Sequence, residues 1–215
     1  MSSISNYGEL KDTVKGYLFN RKDMDFHIPK LVELSERRIY RSLRCLANEK
    51  MGYFQIQTSI SERTHIEIPR DFLECKYFTM LYADKLVLLE RVSDLEMIRL
   101  RGLPYFVAEP EKFARLGRTL TWYPKQDIDL LEVQMVYWAD YSGQLVEDTD
   151  TNEILRIAPD LYVYGALVES EPFLGHDERI PVWNDMFNQA LAQINNHAIT
   201  AEMSGSALDV GTTYS

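Results

Sequence analysis

The spacing of apolar residues changes twice along the chain, and these changes limit the folds that it can adopt. From residue 6 to about 47, apolar residues recur every three or four positions, as on one face of a helix. From residue 51 to about 138 they form short alternating runs, as in strands. The helical spacing then returns. The sequence therefore predicts an α+β fold, in which a helical bundle of four or five helices contains an inserted antiparallel β domain and ends in an extended C-terminal tail.

These changes in spacing also set the predicted domain boundaries. The order along the chain is N-terminal helices of the bundle over 1–50, the inserted β domain over 51–139, C-terminal helices that complete the bundle over 140–202, and an extended tail over 203–215. The tail has no helical spacing. It is either a disordered end or an arm that becomes ordered on a partner, for example by adding a strand to a sheet.

Two helices are predicted in the first segment. Asn6 and Glu9 have the spacing of a capping pair at the start of the first helix. The second helix is predicted to run from about Ile28 to Ala47, with an apolar face of Ile28, Leu31, Ser35, Ile39, Leu43 and Leu46. Its opposite face contains Lys30, Glu33, Arg37, Arg41 and Arg44. This basic face is either an ordinary solvated surface or a contact with an acidic neighbouring subunit or a phosphate.

Seven short runs in the middle segment alternate as strands do. They are residues 53–60, 65–68, 76–82, 85–89, 105–107, 119–123 and 131–137. Ser93 and Glu96 form another capping pair, which predicts a short helix ending near Arg101. The aromatic residues favour a core and an interface over a stacking surface for bases or sugars. They are Tyr53, Phe54, Tyr77, Phe78, Trp122, Tyr123, Tyr137 and Trp138.

The third segment is helical again. A short helix is predicted over 151–157 and a longer, central helix over 160–174. Gly175 ends the central helix, and Asp177 caps a last helix that has Pro181 in its first turn.

Charge and composition exclude several classes of protein. The formal net charge is −10, which argues against a protein that grips nucleic acid over its whole surface. No run approaches the roughly 20 apolar residues of a membrane helix. The N-terminus lacks the pattern of a signal peptide, so we expect a protein that stays in the cytosol or is assembled there. Cys45 and Cys75 are more consistent with two buried thiols than with a disulfide, and alone they cannot form a zinc site.

The sequence contains no pattern that predicts a catalytic, cofactor-binding or metal site. Gly-rich phosphate loops and the G-x-S-x-G, C-x-x-C and H-E-x-x-H motifs are all absent. Glu169 and Glu171 do not share a helix face, so they are poor candidates for a hydrolase pair. The remaining candidates are a polar-loop cluster and two histidines without a partner that the sequence reveals, namely Glu147, Asp148 and Asp150 with His27 and His65.

Several segments, in their order and spacing, resemble the head-to-tail adaptor (connector) proteins of short-tailed phages, with kinship to tail tubular protein A. The resemblance extends over about residues 4 to 197. The segments that carry it are residues 6–10, 18–23, 28–39, 41–44, 68–74, 158–174 and 177–179, with Trp183. Ser35 is a departure, because a small apolar residue such as alanine is expected at its position.

This resemblance implies a structural protein without enzymatic activity or cofactor. Such adaptors form a dodecameric ring between the portal and the tail nozzle or tail tube, extend the DNA channel, and complete the head after genome packaging. The implied location is the head–tail interface of a virion that is assembled in the host cytoplasm. The implied partners are the portal, the tail protein and copies of the same chain, while double-stranded DNA passes through without specific binding and no membrane is involved.

On this interpretation, two groups of residues are predicted to form contacts. Arg37, Arg41 and Arg44 are expected between subunits, and the tail is expected on the portal through Ser206, Leu208, Val210 and Tyr214. Two other functions stay open at this point. One is an adaptor-related peptidoglycan hydrolase, and the other is a DNA-binding head-completion factor that uses the basic helix face.

Overall fold

The mixed α+β class is confirmed by the computed structural model, which describes residues 4–57, 65–103, 107–126, 130–175 and 177–203. The chain divides into two compact units. The helical unit comprises Met1–Asn48 and Asp140–Ser215, and the β unit comprises Glu49–Ala139.

Seven helices lie in the described part of the chain. They are α1 (Tyr7–Tyr17), α2 (Ile28–Ser42), α3 (Asp94–Arg101), α4 (Glu153–Ile157), α5 (Pro159–Glu169), α6 (Glu171–Leu174) and α7 (Ile180–Met203). Both predicted capping pairs are confirmed. The Asn6 side chain accepts a hydrogen bond from the Glu9 N–H at 2.9 Å, and the Ser93 hydroxyl accepts one from the Glu96 N–H at 3.2 Å.

Helix α5 is the most buried helix of the helical unit, as its apolar sequence predicts. Both α2 and α7 pack against it. Gly165 allows the close approach of α2, because a Cβ at this position would overlap the Ser35 hydroxyl. That hydroxyl donates to the Tyr162 carbonyl at 3.2 Å, which explains why a polar residue occupies this buried position.

Helix α2 ends at Ser42, so the prediction that it continues to Ala47 was wrong. Leu43 has an extended conformation, with ψ at 132°. The side chain of Asn195 replaces the next helical turn, since it donates to the Ser42 carbonyl at 3.2 Å and accepts from the Arg44 N–H at 2.8 Å. Leu46 is consequently 61% exposed rather than on the apolar face of the helix.

The single helix predicted over 160–174 is in fact two helices, α5 and α6. Pro172 has no N–H to donate to the Val168 carbonyl, which a continuous helix would require. The Ser170 hydroxyl donates to the Leu167 carbonyl at 2.6 Å where α5 ends. Gly175, at φ +59°, then ends α6 as predicted.

The β unit contains two four-stranded sheets among the described residues. Their strands are β1 (Glu49–Gln57), β2 (His65–Glu67), β3 (Phe72–Tyr82), β4 (Lys85–Leu88), β5 (Glu90–Arg91), β6 (Lys112–Leu116), β7 (Thr119–Tyr123) and β8 (Leu130–Ala139). The first sheet has the order β1-β8-β3-β4 and is antiparallel. The second has the order β2-β7-β6-β5, and its β5–β6 pair is parallel, which departs from the antiparallel prediction.

The core of the β unit lies between the inward faces of the two sheets. Phe78 of β3 stacks on Phe113 of β6 with ring centroids 4.9 Å apart, and Trp122 of β7 lies 6.3 Å from Phe78. Strand β6 had not been predicted. Of the predicted strands, 105–107 falls largely outside the described residues, although Val107 forms a single bridge with Lys125.

Candidate assembly surfaces

The three arginines predicted to contact a neighbouring subunit lie together near the C-terminal end of α2. The Arg37 guanidinium pairs with Glu33 at 2.8 Å, and the Arg41 Nε donates to the Arg37 carbonyl at 3.2 Å. Arg44 donates to the Leu43 carbonyl at 2.8 Å and caps the end of the helix. Arg37 and Arg41 are exposed on the side opposite to the buried residues of α2, so their guanidinium groups can reach a partner.

Arg38, one residue further along α2, has a different role. Its guanidinium pairs with Glu169 of α5 at 2.7 Å and lies 5.8 Å from the centre of the Phe187 ring on α7. This arginine therefore links three helices of the same chain. This ion pair engages the Glu169 carboxylate, one of the two poor candidates for a hydrolase pair.

Sequence reasoning missed Glu36, the most buried carboxylate described. It is 2% exposed and accepts hydrogen bonds from the Gly143 N–H at 2.7 Å, the Tyr162 hydroxyl at 3.1 Å and the Asn152 amide at 3.3 Å. Burial raises the pKa of Glu36 above its ordinary value, and the hydrogen bonds from Gly143 and Tyr162 oppose that rise. The available signal was the position of Glu36 beside Ser35 on the apolar face of α2. Because groups of the same chain donate to both oxygens of the carboxylate, Glu36 holds residues 143–152 against α2.

The acidic loop after β8 is held by hydrogen bonds from its own backbone N–H groups to an Asp150 side-chain oxygen. Asp150 accepts from the N–H groups of Val146 and Glu147 at 2.9 and 2.7 Å, and these bonds lower the pKa of the Asp150 carboxyl. Asp148 pairs with Lys11 of α1. Within the described residues, no group of three or more His, Cys, Asp and Glu residues is placed to hold a metal ion.

The two candidate histidines also have ordinary surroundings. The His27 ring lies against the Phe173 ring in a tilted arrangement, with ring centroids 4.3 Å apart, and His65 lies on β2, opposite Thr121 of β7. Both cysteines are buried free thiols, as expected, and burial raises the pKa of Cys75 to about 12. None of the helices in the described ranges is both long and apolar enough to span a membrane.

The outer face of the first sheet is unusually apolar for a surface. Tyr53 is 72% exposed, and Leu86 and Leu88 of β4 are 57% and 62% exposed. Tyr53, Leu81 and Leu86 border a shallow cavity of about 420 Å³ whose polar rim includes Glu132 and Gln134. Exposed apolar faces of this kind are typical of protein–protein interfaces. The aromatic residues that the sequence assigns to a core and an interface therefore fall into two groups. Phe78, Trp122 and Tyr137 lie in the core, while Tyr53 and Tyr77 are exposed.

Comparison with known families agrees with an assembly protein. The sequence profile of the SU10 adaptor protein family matches residues 5–211, which is nearly the whole chain. The chain belongs to the SU10 adaptor protein family. A search of curated proteins found no match.

Membership in the SU10 adaptor family confirms the resemblance to phage head-to-tail adaptors. It makes this chain a structural component of a phage virion and implies contacts with portal and tail components. The four tail residues predicted to bind the portal lie outside the described residues of this adaptor. They are Ser206, Leu208, Val210 and Tyr214.

Proposed function

We propose that this SU10 adaptor forms a ring between the portal and the tail nozzle or tail tube. The resemblance to head-to-tail adaptors implies that the ring is dodecameric. The observation that supports this most directly is the match of the adaptor family to residues 5–211. In this position the ring extends the DNA channel and completes the head after packaging. The net charge of −10 suits a channel through which DNA must pass without being held.

The side chains described above support a role in binding rather than in catalysis. Glu169, Asp150 and Asp148 are engaged by neighbouring groups of the chain, and Glu36 is enclosed. No specific observation favours the peptidoglycan hydrolase or the DNA-binding factor. In contrast, the exposed arginines of α2 and the apolar sheet face are surfaces that a partner can cover.

The tail provides the first test of this function. Truncation after Met203 should leave the helices intact and weaken binding to the purified portal ring of the same phage by more than about tenfold, since buried apolar anchors dominate such contacts. A full-length variant with Leu208→Asp and Val210→Asp should bind as weakly as the truncated chain. Titration of labelled adaptor onto portal rings measures both. Wild-type affinity in the truncated chain would contradict portal docking through the tail.

The arginines provide the second test. Arg37→Glu with Arg41→Glu should reduce the number of adaptor copies on each portal ring, because reversed charges would repel the acidic groups expected on a neighbour. Native mass spectrometry of the complexes counts the copies. Lys22→Glu with Arg99→Glu is a matched control, because both residues are exposed and the change in net charge is the same. Equal occupancy in the two double variants would argue against a subunit contact at Arg37 and Arg41.

A further inference from the structure

Helix α7 has an exposed ridge that carries no charge. Its six residues are spaced four and three positions apart in alternation: Val182, Met186, Gln189, Gln193, Asn196 and Thr200. All six are exposed, and the 24-residue helix contains no lysine or arginine. The outer face of a solvated helix is usually rich in charged side chains. An uncharged ridge with this spacing is instead typical of a surface that packs against another helix.

Helix α2 has an outer ridge with the same spacing but with positive charge. Its residues are Lys30, Leu34, Arg37 and Arg41, and the three basic side chains are exposed. Glu33 is placed beside this ridge and pairs with both Lys30 and Arg37. Arg41 donates to the Arg37 carbonyl and forms no ion pair with a described carboxylate. The two ridges therefore match in spacing and differ in charge.

The two ridges cannot meet within one copy of the helical unit. Helices α2 and α7 both pack against α5, and each ridge lies on the side of its helix that is turned away from the buried residues. Two different surfaces on one subunit can meet only between copies, and repetition of such a contact produces a ring when its rotation closes.

The distribution of charge along the chain favours a second copy of this protein as the partner of the α2 ridge. Residues 1–48 contain nine Lys and Arg against six Asp and Glu, whereas residues 140–215 contain two arginines against thirteen Asp and Glu. Asp185 is exposed at the edge of the α7 ridge and forms no ion pair with any described residue. The carbonyl oxygens of Gln189 and Gln193 are acceptors for guanidinium donors. On α7 itself, the amide oxygens of Gln189 and Gln193 and the negative charge of Asp185 are therefore the groups that Arg37 and Arg41 can engage.

We propose that the α2 ridge of one copy packs against the α7 ridge of the next copy, with Arg37 and Arg41 near Gln189, Gln193 and Asp185. This inference rests on the proposed ring and names the partner surface within it. The contact is about 17 Å long and one helix of about 10 Å wide. That footprint is well below the ~800 Å² that each partner of a stable complex buries. This contact alone is therefore too small to hold two free copies together, so we expect it to form between copies that the portal already holds side by side.

Charge exchange between the ridges tests the contact. Gln189→Arg with Gln193→Arg places like charges opposite Arg37 and Arg41, so the number of copies on each portal ring should fall. Adding Arg37→Glu and Arg41→Glu to the same chain restores opposite charges and should restore occupancy. Asn188→Arg with Ile199→Arg is the control, because these residues are exposed on α7 but lie on another side of the helix. Native mass spectrometry with purified portal rings gives the counts.

The outcomes distinguish failure of the α2–α7 contact from failure of the proposed adaptor function. Full occupancy by the Gln189→Arg, Gln193→Arg variant, or no recovery in the four-residue variant, overturns the α2–α7 contact while leaving portal binding in place. Recovery in the four-residue variant supports the contact and also shows that the ridge variant is folded. Failure of the wild-type chain to bind portal rings would overturn the proposed function itself, and the contact with it.

Discussion

Replacing Gly165 with alanine is expected to lower the free energy of unfolding of the helical unit by ~2 kcal/mol, the usual range for overpacking a core. The new Cβ would overlap the Ser35 hydroxyl and lie 3.1 Å from the Ser35 Cβ and 3.2 Å from a ring carbon of Phe187. Rotating the hydroxyl away would break its hydrogen bond to the Tyr162 carbonyl and would leave the two carbon contacts. Helices α2 and α5 must therefore separate.

The destabilisation should depend on Ser35, which a double-mutant cycle can measure. Ser35→Ala removes the overlapping oxygen, so Gly165→Ala should cost less in that background than in the wild type. Gly16→Ala is the control, since a Cβ at this exposed helical position has no neighbour within 4 Å and should be neutral or stabilising. Urea unfolding followed by far-UV circular dichroism gives each value. Additive effects of Ser35→Ala and Gly165→Ala would contradict the clash.

Elements with local signals could be predicted from the sequence. The caps at Asn6 and Ser93 depend on side chains within three residues of the N–H groups that they bind. Strand β7 was predicted with its observed bounds, Thr119–Tyr123, because alternation and turn residues define it locally. Its partner β6 was missed, because Lys112 and Arg115 interrupt the alternation in a run of five residues and pairing with β7 stabilises the strand.

Features that depend on distant residues could not be predicted. The end of α2 is set by Asn195, which lies more than 150 positions away in sequence. The three donors to Glu36 lie more than 100 positions from it, so the sequence around Glu36 does not distinguish an anchor from a solvated acid. The same limit applies to the arginines of α2. Helical spacing placed Arg37 and Arg41 on the outer face, whereas only the fold shows that neighbouring Arg38 is engaged by Glu169.

Replacing Glu36 with alanine is expected to lower the free energy of unfolding by ~3 kcal/mol. The change leaves the Gly143 N–H, the Tyr162 hydroxyl and the Asn152 amide without their acceptor in a buried site, and each such group costs about 1–3 kcal/mol before water or rearrangement compensates. Glu36→Gln retains one acceptor oxygen and the shape of the side chain, although its amide N–H2 faces a donor, so it should cost less than Glu36→Ala. Glu33→Ala, one turn earlier on α2, should have a much smaller effect because Glu33 is exposed to solvent screening.

The pH dependence of the Glu36 variants should have a definite sign. The folded pKa of Glu36 is raised above its ordinary value of 4.5, so the folded state favours the protonated carboxyl. Its contribution to stability is therefore full below pH 4.5 and is lost as the pH rises through the folded pKa. Relative to Glu36→Gln, the wild type should lose stability as pH increases from 4.5 and then reach a plateau.

Comparing the two chains cancels the effect of most carboxylates that titrate elsewhere. One of these is Asp177, because its hydrogen bonds with Arg179 lower the pKa of its carboxyl to about 2. Urea unfolding of both chains between pH 4 and 8 measures the difference, and a gap that is constant or widens in favour of the wild type with rising pH would show that Glu36 is not the buried acid that the fold describes.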